Sequence, residues 1–148
     1  MSSPTVVTKA IAAPIDVVFK TVSDINLFSK AVPHIVNVEF LSPAKAGVGT
    51  RFRETRLMRG KKAETELEIT EFVENNRVRY VADSHGTVWD TVFTVEPDRE
   101  YTLLTMTMDA KAKKLIPRIM NRLIRGMVQK AVEQDMNAVK QFCEQQVH

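Results

Sequence analysis

Glu54 and Arg56 are the charged residues of this chain whose positions suggest chemistry most directly. In the segment 50–59 they share one parity with Phe52, so their side chains would lie on the apolar face if the segment is a strand. A carboxylate or guanidinium on such a face needs a partner: each other, Tyr80 or a polar group of a ligand. Glu54 is a candidate general base with Tyr80 as proton donor or orienting group, a pair able to remove an acidic proton next to a carbonyl. The alternative is an ion pair or a solvated strand end without a catalytic role.

Other common catalytic and cofactor patterns are missing from the sequence. No histidine pair has the spacing of metal ligands, and Cys143 stands alone, so a metal site is not expected. Ser23 and Asp24 have no histidine pattern that would complete a catalytic triad. The pair Gly47-x-Gly49 precedes a strand rather than a helix and lacks a third glycine, which excludes a dinucleotide motif. No cofactor is therefore expected. The histidines are interpreted as loop or terminal residues: His34, His85 and His148.

The composition is that of an ordinary globular domain. The 148 residues are 44% hydrophobic and 26% charged, and the length suits a single domain over 1–148. A single cysteine excludes a disulfide framework, no stretch is apolar enough to span a membrane, and the first residues do not form a signal peptide. A cytoplasmic protein is therefore expected. A net charge of +3, with aromatic residues not interleaved with basic ones, argues against a nucleic-acid partner.

Periodicity and turn chemistry predict the elements that position these residues. Strands are predicted over 5–12, 35–41, 50–59, 62–73, 77–84, 87–96 and 100–109. A short helix begins near Pro14, and a second over 25–31 is capped by Asp24 and ended by Pro33. Apolar residues at three- and four-residue spacing predict a long amphipathic helix over roughly 114–145. The short links between strands predict antiparallel hairpins.

An antiparallel sheet and one long apolar helix bury their faces against each other, which predicts an α+β fold. Seven strands would curve around the C-terminal helix, with two short helices after the first strand. This order resembles the helix-grip fold of START-like domains. The segments 13–19 (APIDVVF) and 22–24 (VSD) resemble the family's opening helix and its exit, 47–53 (GVGTRFR) its strand entry, and 68–72 (EITEF) a later strand. Over about residues 5–143 the chain is similar to the polyketide cyclase/dehydrase branch of the SRPBCC superfamily.

The resemblance implies that a hydrophobic or amphipathic small molecule, such as a lipid, polyketide or quinone-like compound, is held between sheet and long helix without a cofactor. Some relatives cyclise or dehydrate polyketides, and others carry or sense lipids, quinones or hormones. Fold alone does not choose between these activities. Binding, transport or sensing of such a molecule is one hypothesis, and a cyclase or dehydratase reaction that uses Glu54 and Tyr80 is the alternative. A third is an interaction module that uses its basic surface residues and whose cavity is too small for a ligand.

Strand alternation and the helix stripe select the residues expected to face the cavity. Trp89 and Phe93 are able to stack on a flat ring, and the methionines would form an adaptable surface, although ordinary core packing explains the same residues. The candidate ligand-binding residues are Phe52, Arg56, Leu67, Trp89, Thr91, Phe93, Leu104, Met106, Met108, Met120, Leu123 and Met127.

Basic residues are concentrated in two segments of the chain. Six lysines and arginines lie within 51–62, and seven lie within 111–130, where no acid interrupts them. Such a surface suits an anionic membrane, as lipid delivery would require, or an acidic partner. The alternative is a solvated helix face.

Overall fold

The computed structural model describes residues 4–84, 86–112 and 118–147, and the elements in them have the predicted types and order. They are β1 (Thr5–Ile11), α1 (Ile15–Ser23), α2 (Ile25–Ala31), β2 (Ile35–Phe40), β3 (Arg51–Met58), β4 (Lys61–Val73), β5 (Arg77–Ser84), β6 (Thr87–Asp98), β7 (Tyr101–Ala112) and α3 (Arg118–Gln146). Some predicted features lie outside the described residues: the start of the long helix at 114–117, Lys113, Lys114, His85 and His148.

The seven strands form one antiparallel sheet in the order β1-β7-β6-β5-β4-β3-β2. Strands β2 to β7 follow one another as neighbours, and β1 closes the order by pairing with β7. At the β3–β4 turn, Arg59 and Gly60 both have positive φ, 52° and 77°. This is the backbone form of a tight two-residue hairpin. The predicted hairpins are confirmed, and the β3–β4 hairpin carries Glu54 and Arg56.

One face of the sheet, the inner face, carries the core. Its alternation follows the predicted parity, and on β4 this runs up to Ile69. A β-bulge after Ile69 shifts the β4–β5 register by one residue, so Phe72 rather than Glu71 follows on the inner face. The Phe72 ring packs edge-on against Phe19 of α1, at 5.4 Å between centroids. The buried inner residues of β5, β6 and β7 are Val78, Tyr80, Ala82, Thr91, Phe93, Val95, Thr102, Leu104 and Met106.

Asp24 separates the two short helices. Its Oδ1 atom accepts the backbone N–H groups of Asn26 and Leu27 at 3.0 and 3.1 Å, which confirms the predicted cap of α2. Tyr80 of β5 donates its hydroxyl hydrogen to the carbonyl of Val22 at 2.7 Å. The end of α1 is thereby tied to the sheet, and α2 is held beside the inner face.

The C-terminal half of α3 is held against β1 by hydrogen bonds and an ion pair. Lys140 Nζ donates to the Ala10 carbonyl at 2.7 Å, and Glu144 Oε2 accepts the Ala12 N–H at 2.9 Å. Lys9 of β1 also lies 3.2 Å from a carboxylate oxygen of Glu133. On the side facing the core, this half of the helix buries Val132, Met136, Val139 and Cys143.

The N-terminal half of α3 does not continue that buried face. Ile119, Leu123 and Met127 are 77%, 60% and 70% exposed. With 3.6 residues in a turn, each four-residue step moves a side chain about 40° around the axis. The apolar residues of the first half therefore lie on a different side from Val132 and Met136. The long helix is confirmed, but its apolar residues do not all face the sheet: Met120 and Leu123, which were expected to face the cavity, are exposed.

Candidate functional site

A cavity of about 380 Å³ lies between the inner face of the sheet, α2 and α3. This volume is within the range of small-molecule sites. Most of the wall is apolar, so a ligand would bury hydrocarbon surface there. The lining residues are Ile25, Phe28, Ser29, Ile35, Val38, Phe52, Glu54, Arg56, Met58, Ala63, Thr65, Leu67, Tyr80, Ala82, Trp89, Thr91, Met106, Met108, Met127, Val128, Ala131, Val132 and Asp135.

A chain of edge-to-face aromatic contacts supports the cavity wall. Phe28 of α2 meets Phe93 of β6 at 5.8 Å between ring centroids, and Phe93 meets Tyr80 at 6.1 Å. Tyr80 in turn meets Phe52 of β3 at 6.0 Å. Edge-to-face pairs contribute beyond their buried area, so these rings fix α2 and three strands relative to one another.

An ion cluster of Glu54, Arg56 and Asp135 forms the charged part of the lining. Arg56 donates from Nε to Glu54 Oε1 at 2.5 Å and from Nη1 to Asp135 Oδ1 at 3.1 Å. The side chains of Glu54 and Asp135 are only 12% and 9% exposed. Two carboxylates share one guanidinium, so the cluster carries a formal charge of −1. The described residues give Glu54 Oε2 no hydrogen bond, which leaves that oxygen available to a ligand.

Burial and charge act in opposite directions within this cluster. Burial alone would lower the pKa of Arg56, but the charges of Glu54 and Asp135 outweigh it and raise that pKa. The pKa of Asp135 is raised as well, because burial outweighs the attraction of Arg56 and the Glu54 charge adds repulsion. Arg56 is therefore a permanent cation, and the Asp135 carboxyl ionises less readily than that of an ordinary aspartate.

Tyr80 has a structural partner of its own. Its hydroxyl hydrogen is engaged by the Val22 carbonyl. Burial first, and the charges of Glu54 and Asp24 second, raise its pKa far above the ordinary value. The phenol therefore stays neutral. It holds α1 against the sheet while its ring forms part of the cavity wall.

Most of the predicted site residues are brought together in the cavity wall, and four are not. Phe93 and Leu104 are buried in the core behind the wall. Met120 and Leu123 are exposed on the first half of α3, where the helix turns them away from the inner face. The predicted residues that do line the cavity are Phe52, Glu54, Arg56, Leu67, Tyr80, Trp89, Thr91, Met106, Met108 and Met127.

Sequence reasoning missed Asp135 and the contribution of α2. Asp135 lies between Val132 and Val139 on the buried side of α3, and an acid at such a position signals a buried partner. The contribution of Phe28 and Ser29 had no comparable signal, because it depends on where α2 packs. The pairing of Glu54 with Arg56 was one of the predicted alternatives.

The cavity opens between the β3–β4 hairpin and α3. Met58 and Met127 both line it, yet both are well exposed.

Among the described residues, no group of three or more histidine, cysteine or acidic side chains is arranged to hold a metal ion. No helix in the described part of the chain is long and apolar enough to cross a membrane.

Solved structures place this architecture among known folds. A START superfamily protein from Mycobacterium smegmatis is similar with a TM-score of 0.79 and 19% identity, covering 97% of this chain and 99% of that one. A protein from Thermus thermophilus gives 0.78 and 19%, covering 95% and 97%. The di-domain ARO/CYC protein StfQ from the steffimycin biosynthetic pathway gives 0.80 and 13%, covering 97% of this chain and 51% of that one. The fold is therefore the START-like helix-grip fold.

Sequence comparison assigns the family. No curated protein matches the chain. A family model described as polyketide cyclase/dehydrase and lipid transport matches residues 4–144, nearly the whole sequence. The chain therefore belongs to the polyketide cyclase/dehydrase and lipid transport family.

Proposed function

We propose that the protein binds a hydrophobic or amphipathic small molecule in this cavity and carries or senses it. The observation that carries the proposal is an open, mainly apolar cavity with one buried ion cluster in its wall. The apolar wall would take the body of the ligand, and the cluster would orient its polar group. An interaction module with a filled interior would not leave about 380 Å³ of space.

The charge of the cluster suggests the polar group of the ligand. A ligand carboxylate would add a second net negative charge beside Glu54 and Asp135, and like charges placed together are costly. A hydroxyl or an amine would donate a hydrogen bond to Glu54 Oε2 instead. We therefore infer a ligand with a compact apolar body and a hydrogen-bond donor.

The fluorescence of Trp89 provides a measurement of ligand binding. This residue is the single tryptophan of the chain and it lines the cavity, so its fluorescence reports occupancy. Native mass spectrometry of the purified protein is expected to show a co-purifying small molecule, and removing it is expected to change the Trp89 emission. Absence of both signals, together with no emission change on titration with apolar probes, would contradict the proposal.

A pair of variants tests where the ligand lies. Ala131→Phe would fill part of the cavity from α3 and is expected to abolish ligand-induced changes in Trp89 emission. Gln134→Phe adds the same ring to an exposed position of the same helix and is expected to leave them intact. Equal effects of the two variants would place the ligand elsewhere.

A cyclase or dehydratase is the second candidate, and the free Oε2 atom of Glu54 favours it. Glu54 would act as general base on an acidic proton next to a substrate carbonyl. Tyr80 would act as a positioning residue, since its hydroxyl hydrogen is engaged by Val22. The Glu54→Gln variant is expected to bind a β-diketone substrate but to lose its turnover. If the wild-type protein turns over no such substrate, this candidate is removed and ligand binding remains.

A further inference from the structure

We propose that the rim of the cavity is a docking surface for an anionic lipid bilayer. This rim surface consists of the first half of α3, over 118–130, and the tip of the β3–β4 hairpin, over 57–62. Two features carry the proposal: exposed apolar side chains that the fold does not use, and basic side chains without acidic partners beside them.

The apolar part of the rim surface consists of side chains that are exposed to solvent and do not pack in the core. Ile119, Met120, Leu123 and Met127 of α3 are between 50% and 77% exposed. Their spacing puts them on one side of the helix, away from the side that buries Val132. Leu57 and Met58 at the hairpin tip are also well exposed. Exposed apolar groups of this kind mark an interaction site.

Basic residues lie on both elements of the rim surface. On the hairpin tip these residues are Arg59, Lys61 and Lys62, and on α3 they are Arg122, Arg125 and Lys130. All six are exposed, and none of them forms an ion pair within the described part of the chain. Arg122 and Arg125 lie across the helix from Met120 and Met127. An apolar side and a basic side on one exposed helix are typical of helices that lie in a membrane interface.

The charges distinguish a bilayer from a second copy of the chain. Two copies meeting through this surface would bring six unpaired cations from each against the other, and like charges oppose such an association. Anionic phospholipid headgroups neutralise the same cations, each of which contributes to binding near the surface. Apolar side chains between them would enter the acyl boundary.

The position of the surface links it to the cavity. Met58 and Met127 belong to the rim surface and also line the cavity. A bilayer seated on the rim would therefore cover the opening, and a hydrophobic molecule could pass between membrane and cavity without crossing water. This docking is independent of any bound ligand, so it is measurable even if the proposed function fails.

Vesicle co-sedimentation of the full chain tests the proposal. The protein is expected to bind vesicles of phosphatidylcholine mixed with phosphatidylserine, to bind phosphatidylcholine alone weakly, and to dissociate at high salt. Ile119→Asp, which lies outside the cavity wall, is expected to weaken binding by at least about tenfold. Arg125→Ser is expected to weaken it by about fivefold.

Matched variants give the controls. Val73→Asp changes an exposed apolar residue at the far end of β4, and Lys20→Ser changes an exposed cation of α1. Both are expected to bind vesicles as the wild type does. The proposal is overturned if anionic vesicles are not bound at low salt, or if Ile119→Asp and Val73→Asp have equal effects. It is also overturned if the protein dimerises without lipid and Ile119→Asp dissociates the dimer.

Discussion

At the scale of single residues, Arg56 supplies the positive charge that stabilises two buried carboxylates in the cavity wall. Two carboxylates that are about nine-tenths buried lie against its guanidinium at hydrogen-bond distance. A buried ion group is costly chiefly when one partner is removed, because the remaining charge is left in a poorly solvated place. The contribution of Arg56 to stability is therefore expected to be much larger than that of an exposed arginine.

Arg56→Met is expected to lower the free energy of unfolding by about 3 kcal/mol at neutral pH, since Glu54 and Asp135 lose their counter-charge. Part of the loss should return at acidic pH, where Asp135, whose pKa is raised by burial, takes up its proton. Urea unfolding at several pH values measures both effects. Arg53→Met is the matched control, because Arg53 also faces three acids but in an exposed cluster, and a far smaller loss is expected there. Equal losses for the two variants would mean that the buried cluster has no special role.

Asp135 gives a prediction about pH with a definite sign. Its pKa is raised in the folded protein, first by burial, so the folded state holds this proton more tightly than the unfolded chain does. Its contribution to stability is then fully present below the ordinary aspartate pKa and is lost as the pH rises through the raised value. The difference in unfolding free energy between wild type and Asp135→Asn should fall across that window. A difference that grows with pH would show that Arg56 stabilises the ionised form more than burial opposes it.

At the scale of elements, the cavity depends on the short helix α2 as well as on the sheet and α3. Phe28 and Ser29 of α2 line it, and α2 begins at a cap formed by one side chain, Asp24. The cap satisfies two backbone N–H groups that the helix itself leaves without partners. A change at Asp24 should therefore reach the ligand site although this residue does not line it.

Asp24→Ala is expected to cost about 1 kcal/mol of unfolding free energy and to weaken ligand binding, because the start of α2 frays. Chemical denaturation and Trp89 fluorescence measure the two effects. Asp16→Ala is the control: within the described part of the chain its carboxylate accepts a hydrogen bond only from the adjacent Val17 N–H, at 3.0 Å, and no residue of α1 is among those that line the cavity. Loss of stability without any change in ligand binding would show that α2 is held by packing alone.

The same scale shows what sequence patterns are able to predict. Alternation identified the strands and the inner position of Tyr80, because one buried face imposes a period of two. The apolar pattern of α3 was less informative. Three- and four-residue spacing is also met by residues whose direction changes gradually around the helix axis, so Leu123 and Met136 point to different sides of the helix. Asp135 was missed because its partner Arg56 is 79 residues away in sequence. Periodicity describes neighbours along the chain and says little about contacts of that length.

At the scale of the whole molecule, distant segments combine to form the proposed ligand site. The sheet and α3 supply an apolar wall, while β3 and the second half of α3 bring Glu54, Arg56 and Asp135 together within it. The basic rim surface, in contrast, lies outside on the same opening. The chain is weakly basic overall, with a net charge of +3, yet the polar end of its cavity is acidic. Membrane attraction and ligand choice are thus expected to respond to different charges.

Three adamantane derivatives that share one rigid body test this choice: an alcohol, an amine and a carboxylate. Trp89 fluorescence titration should find the alcohol and the amine bound at least about tenfold more tightly than the carboxylate, because a third negative charge beside Glu54 and Asp135 is opposed. Glu54→Gln neutralises the cluster and should strengthen binding of the adamantane carboxylate by about tenfold. Glu39→Gln removes an acid from an exposed ion pair and should change nothing. If the carboxylate binds most tightly to the wild type, Arg56 rather than the two acids directs the ligand, and the inferred donor group is wrong.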